Sequence, residues 1–122
     1  MYEEFILTGV LIFVIGYMFD MISTEAIYKR NKKFFFRNET FEGLKMRIKK
    51  DGIDAIRLIL FTPEYYNSFL IVFVGCVLLF FFGFKMPLMV TLSIPLMLEG
   101  INHMLAGGMN FLQLPFIRRS GN

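Results

Sequence analysis

The sequence predicts an all-α integral membrane protein with three transmembrane helices and a cytoplasmic amphipathic helical segment between helices 1 and 2. Three observations carry that prediction. Hydrophobic residues fill 56% of the 122 positions. The apolar runs leave room for three stretches of the roughly 20 residues that cross a bilayer. Positive charge is segregated, with ten of the 13 Lys and Arg lying between the first and second stretches. The whole chain, residues 1–122, reads as a single membrane domain.

The first span covers residues 5–28, with Asp20 and Glu25 late in it. Signal peptides begin with positive charge and end at a small-residue cleavage site. This stretch follows Glu3 and Glu4 and has no such site, so it reads as a retained helix. Gly9 and Gly16 are seven apart on one face, which would let another helix approach closely.

Residues 29–64 form the basic segment. Lys32-Lys33-Phe34-Phe35-Phe36-Arg37 has the composition of an interfacial anchor. Phe41, Leu44 and Ile48 then recur at helical spacing, with Lys45, Arg47, Lys49 and Lys50 among them. Asp51-Gly52 reads as a break, after which Ile53, Ile56 and Leu60 resume the stripe as far as Thr62-Pro63. A basic amphipathic helix pair at the membrane surface follows from this pattern. Lys45, Arg47, Lys49 and Lys50 are candidates for lipid headgroup or partner contact, while the stripe sinks into the interface or meets a partner protein. Basic residues beside a membrane span are accounted for by topology, so nucleic acid is not expected as a partner. Asn38-Glu39-Thr40 matches the N-glycosylation pattern, but on the cytoplasmic side it reads as unused, with Asn38 or Thr40 acting as a helix cap.

The second span, residues 65–84, carries no charge and holds the single cysteine, Cys76, which reads as a small buried hydrophobe. The third span, residues 87–106, holds Pro95, Glu99 and His103 and is expected to stop at Gly107-Gly108. Pro95 removes the bond to the Thr91 carbonyl and predicts a kink one turn before Glu99. That kink either opens space at Glu99 or only follows packing. Residues 107–122 form a C-terminal tail whose apolar run is too short to cross again, so it lies at the interface or packs against protein.

Positive loops stay in the cytoplasm. Three spans satisfy that rule with the N-terminus outside, the basic segment inside, Lys85 outside, and Arg118 and Arg119 inside. The expected location is therefore a cell membrane, crossed several times, with the C-terminus cytoplasmic.

An ionisable group at the bilayer centre costs a few kcal/mol or more. Asp20, Glu99 and His103 must therefore face protein or water. At about 1.5 Å per residue, Asp20 lies about 22 Å from the outer end of its span, Glu99 about 18 Å and His103 about 24 Å. Asn67 and Ser68 on the second span fall at the same depth. Asp20, Ser23 and Thr24 share one helix face by their spacing, and Glu99, Asn102 and His103 repeat it. These eight residues form the candidate buried polar cluster. It has three readings: a hydrogen-bonded lock between helices, a proton or cation relay, or part of a metal site with Met18, Met21, Met97 and Met104 nearby. With one His in the chain, a full metal site is not expected from it alone. No phosphate loop or nucleophile motif appears. No catalytic residue is assigned, and the chain is not expected to be an enzyme on its own.

Two function classes follow. One is a small accessory subunit that stabilises a larger membrane complex and needs other integral membrane subunits and lipids as partners. The alternative is an independent homo-oligomeric channel, carrier or relay that uses Asp20, Glu99 and His103. The opening Tyr2-Glu3-Glu4-Phe5-Ile6-Leu7, the patch Asp20-Met21-Ile22-Ser23-Thr24, and the small size with an outside N-terminus resemble the small accessory subunits of archaeal ammonia monooxygenase. That resemblance implies a copper-dependent membrane monooxygenase complex, with copper in partner subunits and no cofactor in this chain. It carries over no functional residue.

Overall fold

The computed structural model of the chain describes residues 2–58, 67–81 and 87–120. The described elements are helical: α1 (Glu3–Arg30), α2 (Lys32–Asn38), α3 (Glu42–Asp51), α4 (Asp54–Arg57), α5 (Asn67–Phe81) and α6 (Leu88–Gln113), with a 3₁₀ turn at Leu114–Phe116. Among the described residues, two helices, Glu3–Arg30 and Leu88–Phe116, are long and apolar enough to cross a membrane. α5 carries 15 described residues, about 22 Å of helix. The ends expected for the second span, and the Thr62-Pro63 break, lie outside the described residues.

α1 and α6 form the main helix pair, and they run parallel. Gly9 faces Ser93 and Gly16 faces Gly100. Further along, Asp20 faces His103, Ser23 faces Asn110, and Arg30 reaches Ile117. The partner's number rises with the residue's own number, which only parallel helices give.

Small residues make the seam. Gly9, Gly16 and Ser23 on α1, and Ser93, Gly100 and Gly107 on α6, are each seven apart, and all are buried. A seven-residue repeat keeps one face toward a partner in a left-handed pair. A Cβ built on Gly16 would run into the Gly100 carbonyl oxygen, and one on Gly100 would stand 2.5 Å from the Ile12 carbonyl. Only glycine admits backbones this close. Between apolar helices in lipid there is little hydrophobic drive to associate, so such close packing supplies the attraction.

The helix does not stop where the sequence suggested. Gly107 and Gly108 lie inside α6, which runs on through Pro95 and the glycine pair to Gln113. Gly107 serves the seam, because a Cβ there would meet the backbone of Phe19 and Asp20. The tail begins only after the 3₁₀ turn, and it packs against protein. Ile117 is buried, the Arg30 guanidinium donates to the Ile117 carbonyl, and the Ser120 amide donates to the Arg30 carbonyl.

Where α1 ends, α2 to α4 fold back on it. Asn31 breaks the helix in extended conformation and caps α2, its side-chain oxygen accepting from the Phe34 amide. The caps expected from Asn38 or Thr40 are not made: Asn38 ends α2, and α3 starts after Phe41 without a side-chain cap. Gly52, at φ 70, turns the chain between α3 and α4.

The apolar stripe of the basic segment faces inward. Leu44, Ile48, Ala55 and Ile56 pack with Ile27, Tyr28, Phe35 and Ile117 in one cluster, and Phe41 and Ile53 lean against it. This corrects the expectation that the stripe meets lipid or a partner: the chain covers its own stripe. Tyr28, Phe35 and Phe36 meet edge to face inside the cluster. The Lys32–Arg37 stretch therefore contributes aromatic core as well as a cationic surface. Glu25 of α1 ties this cap to its helix by a two-pronged contact with Arg57, at 2.8 and 3.2 Å, and also pairs with Lys29 one turn on along α1 at 2.8 Å.

Candidate polar lock between the parallel helices

Each member of the polar site sits on the glycine seam or one step from it. From α1, Asp20 presents its carboxylate to His103 of α6, with Oδ2 2.7 Å from Nδ1. The other imidazole nitrogen, Nε2, lies 3.6 Å from Oε2 of Glu99, one turn back on α6. The ring is thus held between two carboxylates on its opposite edges. Glu99 is buried, and Tyr17 is only 2% exposed, its ring edge-on to His103 with centroids 5.8 Å apart. An ion in such a place survives only with partners, and here a carboxylate faces each ring nitrogen.

The network continues along the seam. The Thr24 hydroxyl donates to Oδ1 of Asp20 at 3.3 Å, and the Ser23 hydroxyl donates to the Asp20 carbonyl at 2.8 Å. From α6, the Asn110 amide donates to the Ser23 hydroxyl at 3.1 Å and contacts the Thr24 hydroxyl at 3.4 Å. Five side chains from two helices therefore form one connected chain from His103 to Asn110.

Of the residues the sequence grouped together, Asp20, Ser23, Thr24, Glu99 and His103 meet. Asn102 does not belong: it is exposed. The seam runs through Gly100, His103 and Gly107, and Asn102 lies about 200° round the helix from Gly100 at 3.6 residues per turn. The side chains of Asn67 and Ser68 lie outside the described residues. Asn110 was missed because the third span was read as ending at the glycine pair. Its signal was present, since position 110 is one heptad beyond His103.

Among the described residues, no three His, Cys, Asp or Glu side chains form a group that could hold a metal ion. Asp20 and Glu99 address opposite ring nitrogens and share no common point with them. Met18, at 49% exposed, points away from the seam.

The basic surface is separate from this site. Arg47, Lys49 and Lys50 are exposed on the outer side of α3, and the Lys45 ammonium pairs with Glu42. Lys49 also lies 5.8 Å from the centre of the Phe36 ring.

No family model matches the chain, and no curated protein or solved structure matches it.

Proposed function

We propose that this chain is an accessory subunit that stabilises a larger membrane complex, of the copper-dependent membrane monooxygenase type, and carries out no chemistry alone. The observation that supports this most is the closed Asp20–His103–Glu99 arrangement between two parallel helices. One imidazole nitrogen meets Asp20 at 2.7 Å and the other lies 3.6 Å from Glu99, both of the same chain, which suits a lock better than a site awaiting a ligand. Around the lock, the outer faces of the pair are broad and apolar: Leu7, Leu11, Val14, Ile15 and Ile22 on α1, and Leu98, Ile101, Leu105, Met109 and Leu112 on α6. Such faces suit lipid and neighbouring membrane subunits. Copper, in this reading, is held by the partners.

Three spans are the reading that fits parallel α1 and α6. If both cross a membrane in the same direction, the chain between them must cross back, and α5 is the apolar, uncharged helix available for it. The basic cap and Arg118 sit at the same end of the pair, where Asn31 donates to the Arg118 carbonyl. Positive charge gathered at one end favours that end as cytoplasmic, with the N-terminus outside. Arg47, Lys49 and Lys50 then face lipid headgroups or a partner's acidic surface.

The alternative, a homo-oligomeric channel, carrier or relay, draws on the same imidazole between carboxylates, which are groups that can pass protons. Isolation of the tagged chain in mild detergent separates the two. The accessory reading expects fixed partners of other sequence, with copper in the isolated complex. Recovery as a ring of this chain alone, without such partners, would overturn it.

A further inference from the structure

A cavity of about 120 Å³ opens beside the polar network, between α1, α2 and the end of α6. Thr24, Asn38, Glu39, Asn110 and Gln113 line it, with Ile27, Phe34 and Phe35 as its apolar wall. Water enters a cavity that is roomy and polar enough to offer it two to four partners, and this volume holds several waters. Thr24 belongs to both the cavity and the network: the residue lines the one, and its hydroxyl donates to Asp20 in the other. We propose that this cavity is the water-filled mouth of a one-sided proton path that ends on the Asp20–His103 pair, making the pair a proton-binding site read from the compartment that holds α2 to α4.

The path has three steps, and no electrons move in any of them. A hydronium in the cavity gives a proton to Oγ1 of Thr24. Thr24 releases its own hydroxyl proton to Oδ1 of Asp20, 3.3 Å away. Oδ2 of Asp20 shares the added proton with Nδ1 of His103 across 2.7 Å. The pair then holds one more proton and one more unit of positive charge. Glu99, 3.6 Å from Nε2, is placed to balance that charge. Among the described residues, Asp20 and Tyr17 from α1 and Glu99 from its own helix face His103. α5, which also packs on α6, carries Cys76 as the only titratable residue in its sequence. Glu25 points to Arg57 and Lys29 instead. Added positive charge changes the contact that joins the two parallel helices, so proton binding reaches the seam directly.

This inference rests on α1 and α6 crossing a membrane, so the test measures sidedness in the same sample. The chain has one histidine, which makes ¹⁵N-histidine labelling site-specific. The full chain, with its co-purifying partners, is placed in liposomes of phosphatidylcholine and phosphatidylglycerol, and the pH is stepped on one side at a time. The side that holds the cap is fixed by labelling a cysteine placed at Lys45. The ¹⁵N shifts of His103 are expected to follow the pH on the side where position 45 is labelled. Thr24→Val, which removes the hydroxyl but keeps the shape, is expected to slow that response at least tenfold, and Thr24→Ser to retain it. Asn38→Leu, at the exposed mouth and away from the seam, is a second block should Thr24→Val fail to fold, and the same slowing is expected. A response that follows the opposite side, no response to either side, or unchanged rates in the folded blocking variants would overturn the proposal. Label at position 45 reaching both sides of intact liposomes would mean that the spanning reading has failed, and the proposal with it.

Discussion

Adjacent glycines should behave oppositely when replaced by alanine, because one lies in the α1–α6 seam and its neighbour does not. A Cβ at Gly107 would stand 2.7 Å from Cδ1 of Phe19, 2.9 Å from the Phe19 carbonyl carbon and 3.0 Å from the Asp20 amide nitrogen. The Phe19 ring can swing aside, but the backbone atoms cannot. The helices must part by several tenths of an ångström, at the point where Asp20 meets His103. Overpacking of this kind costs about 1–3 kcal/mol. Alanine is favoured over glycine inside a helix by about 0.5–1 kcal/mol, so Gly107→Ala should lose up to about 2.5 kcal/mol net, and about 1 kcal/mol at the middle of the range. A Cβ at Gly108 meets only a Phe19 ring carbon at 4.0 Å. Gly108→Ala should therefore be neutral or gain the helical preference of up to about 1 kcal/mol. The assay is reversible unfolding of each variant in mixed micelles, followed by far-ultraviolet circular dichroism. Equal effects of the two substitutions, or a harmless Gly107→Ala, would refute the close parallel seam.

Other residues give independent checks. Asn31→Ala removes the cap of α2 and the tie to the Arg118 carbonyl, so it should cost about 1 kcal/mol or somewhat more by the same unfolding assay. Ile56, 1% exposed in the cap cluster, should cost about 2–5 kcal/mol as Ala if the stripe is buried by its own chain; a loss well under 1 kcal/mol would return the stripe to the membrane surface. A cysteine at position 45 should be labelled from the cytoplasmic side of intact cells' membranes, and labelling from outside would reverse the proposed orientation.

What the sequence revealed and what it hid divide along physical lines. The two long helices were legible because a bilayer demands length and apolarity, which composition displays directly. Asp20, Glu99 and His103 stood out because charge is costly among Phe, Leu and Ile. The end of α6 was misread because a glycine pair ordinarily signals a break. Here close packing against Phe19 and Asp20 rewards Gly107 inside the helix. That error hid Asn110. Asn102 shared a spacing with Glu99 and His103, but spacing within one helix does not say which of several faces meets the neighbour. The glycines of the other helix decide that. The stripe of α3 and α4 was visible as a stripe, but its occupant was not. Tyr28, Phe35 and Ile117, distant in sequence, cover it.

The central claim is that Asp20 locks the α1–α6 pair in a subunit whose work is assembly. The Asp20–His103 contact is part-buried, and losing a hydrogen bond to a charged group costs about 1.5–3 kcal/mol, enough to shift an assembly equilibrium. The most direct measurement is the yield of intact complex for Asp20→Asn beside the activity per assembled complex. The account predicts a reduced yield with near-normal turnover in whatever assembles. Full yield with abolished turnover would contradict it.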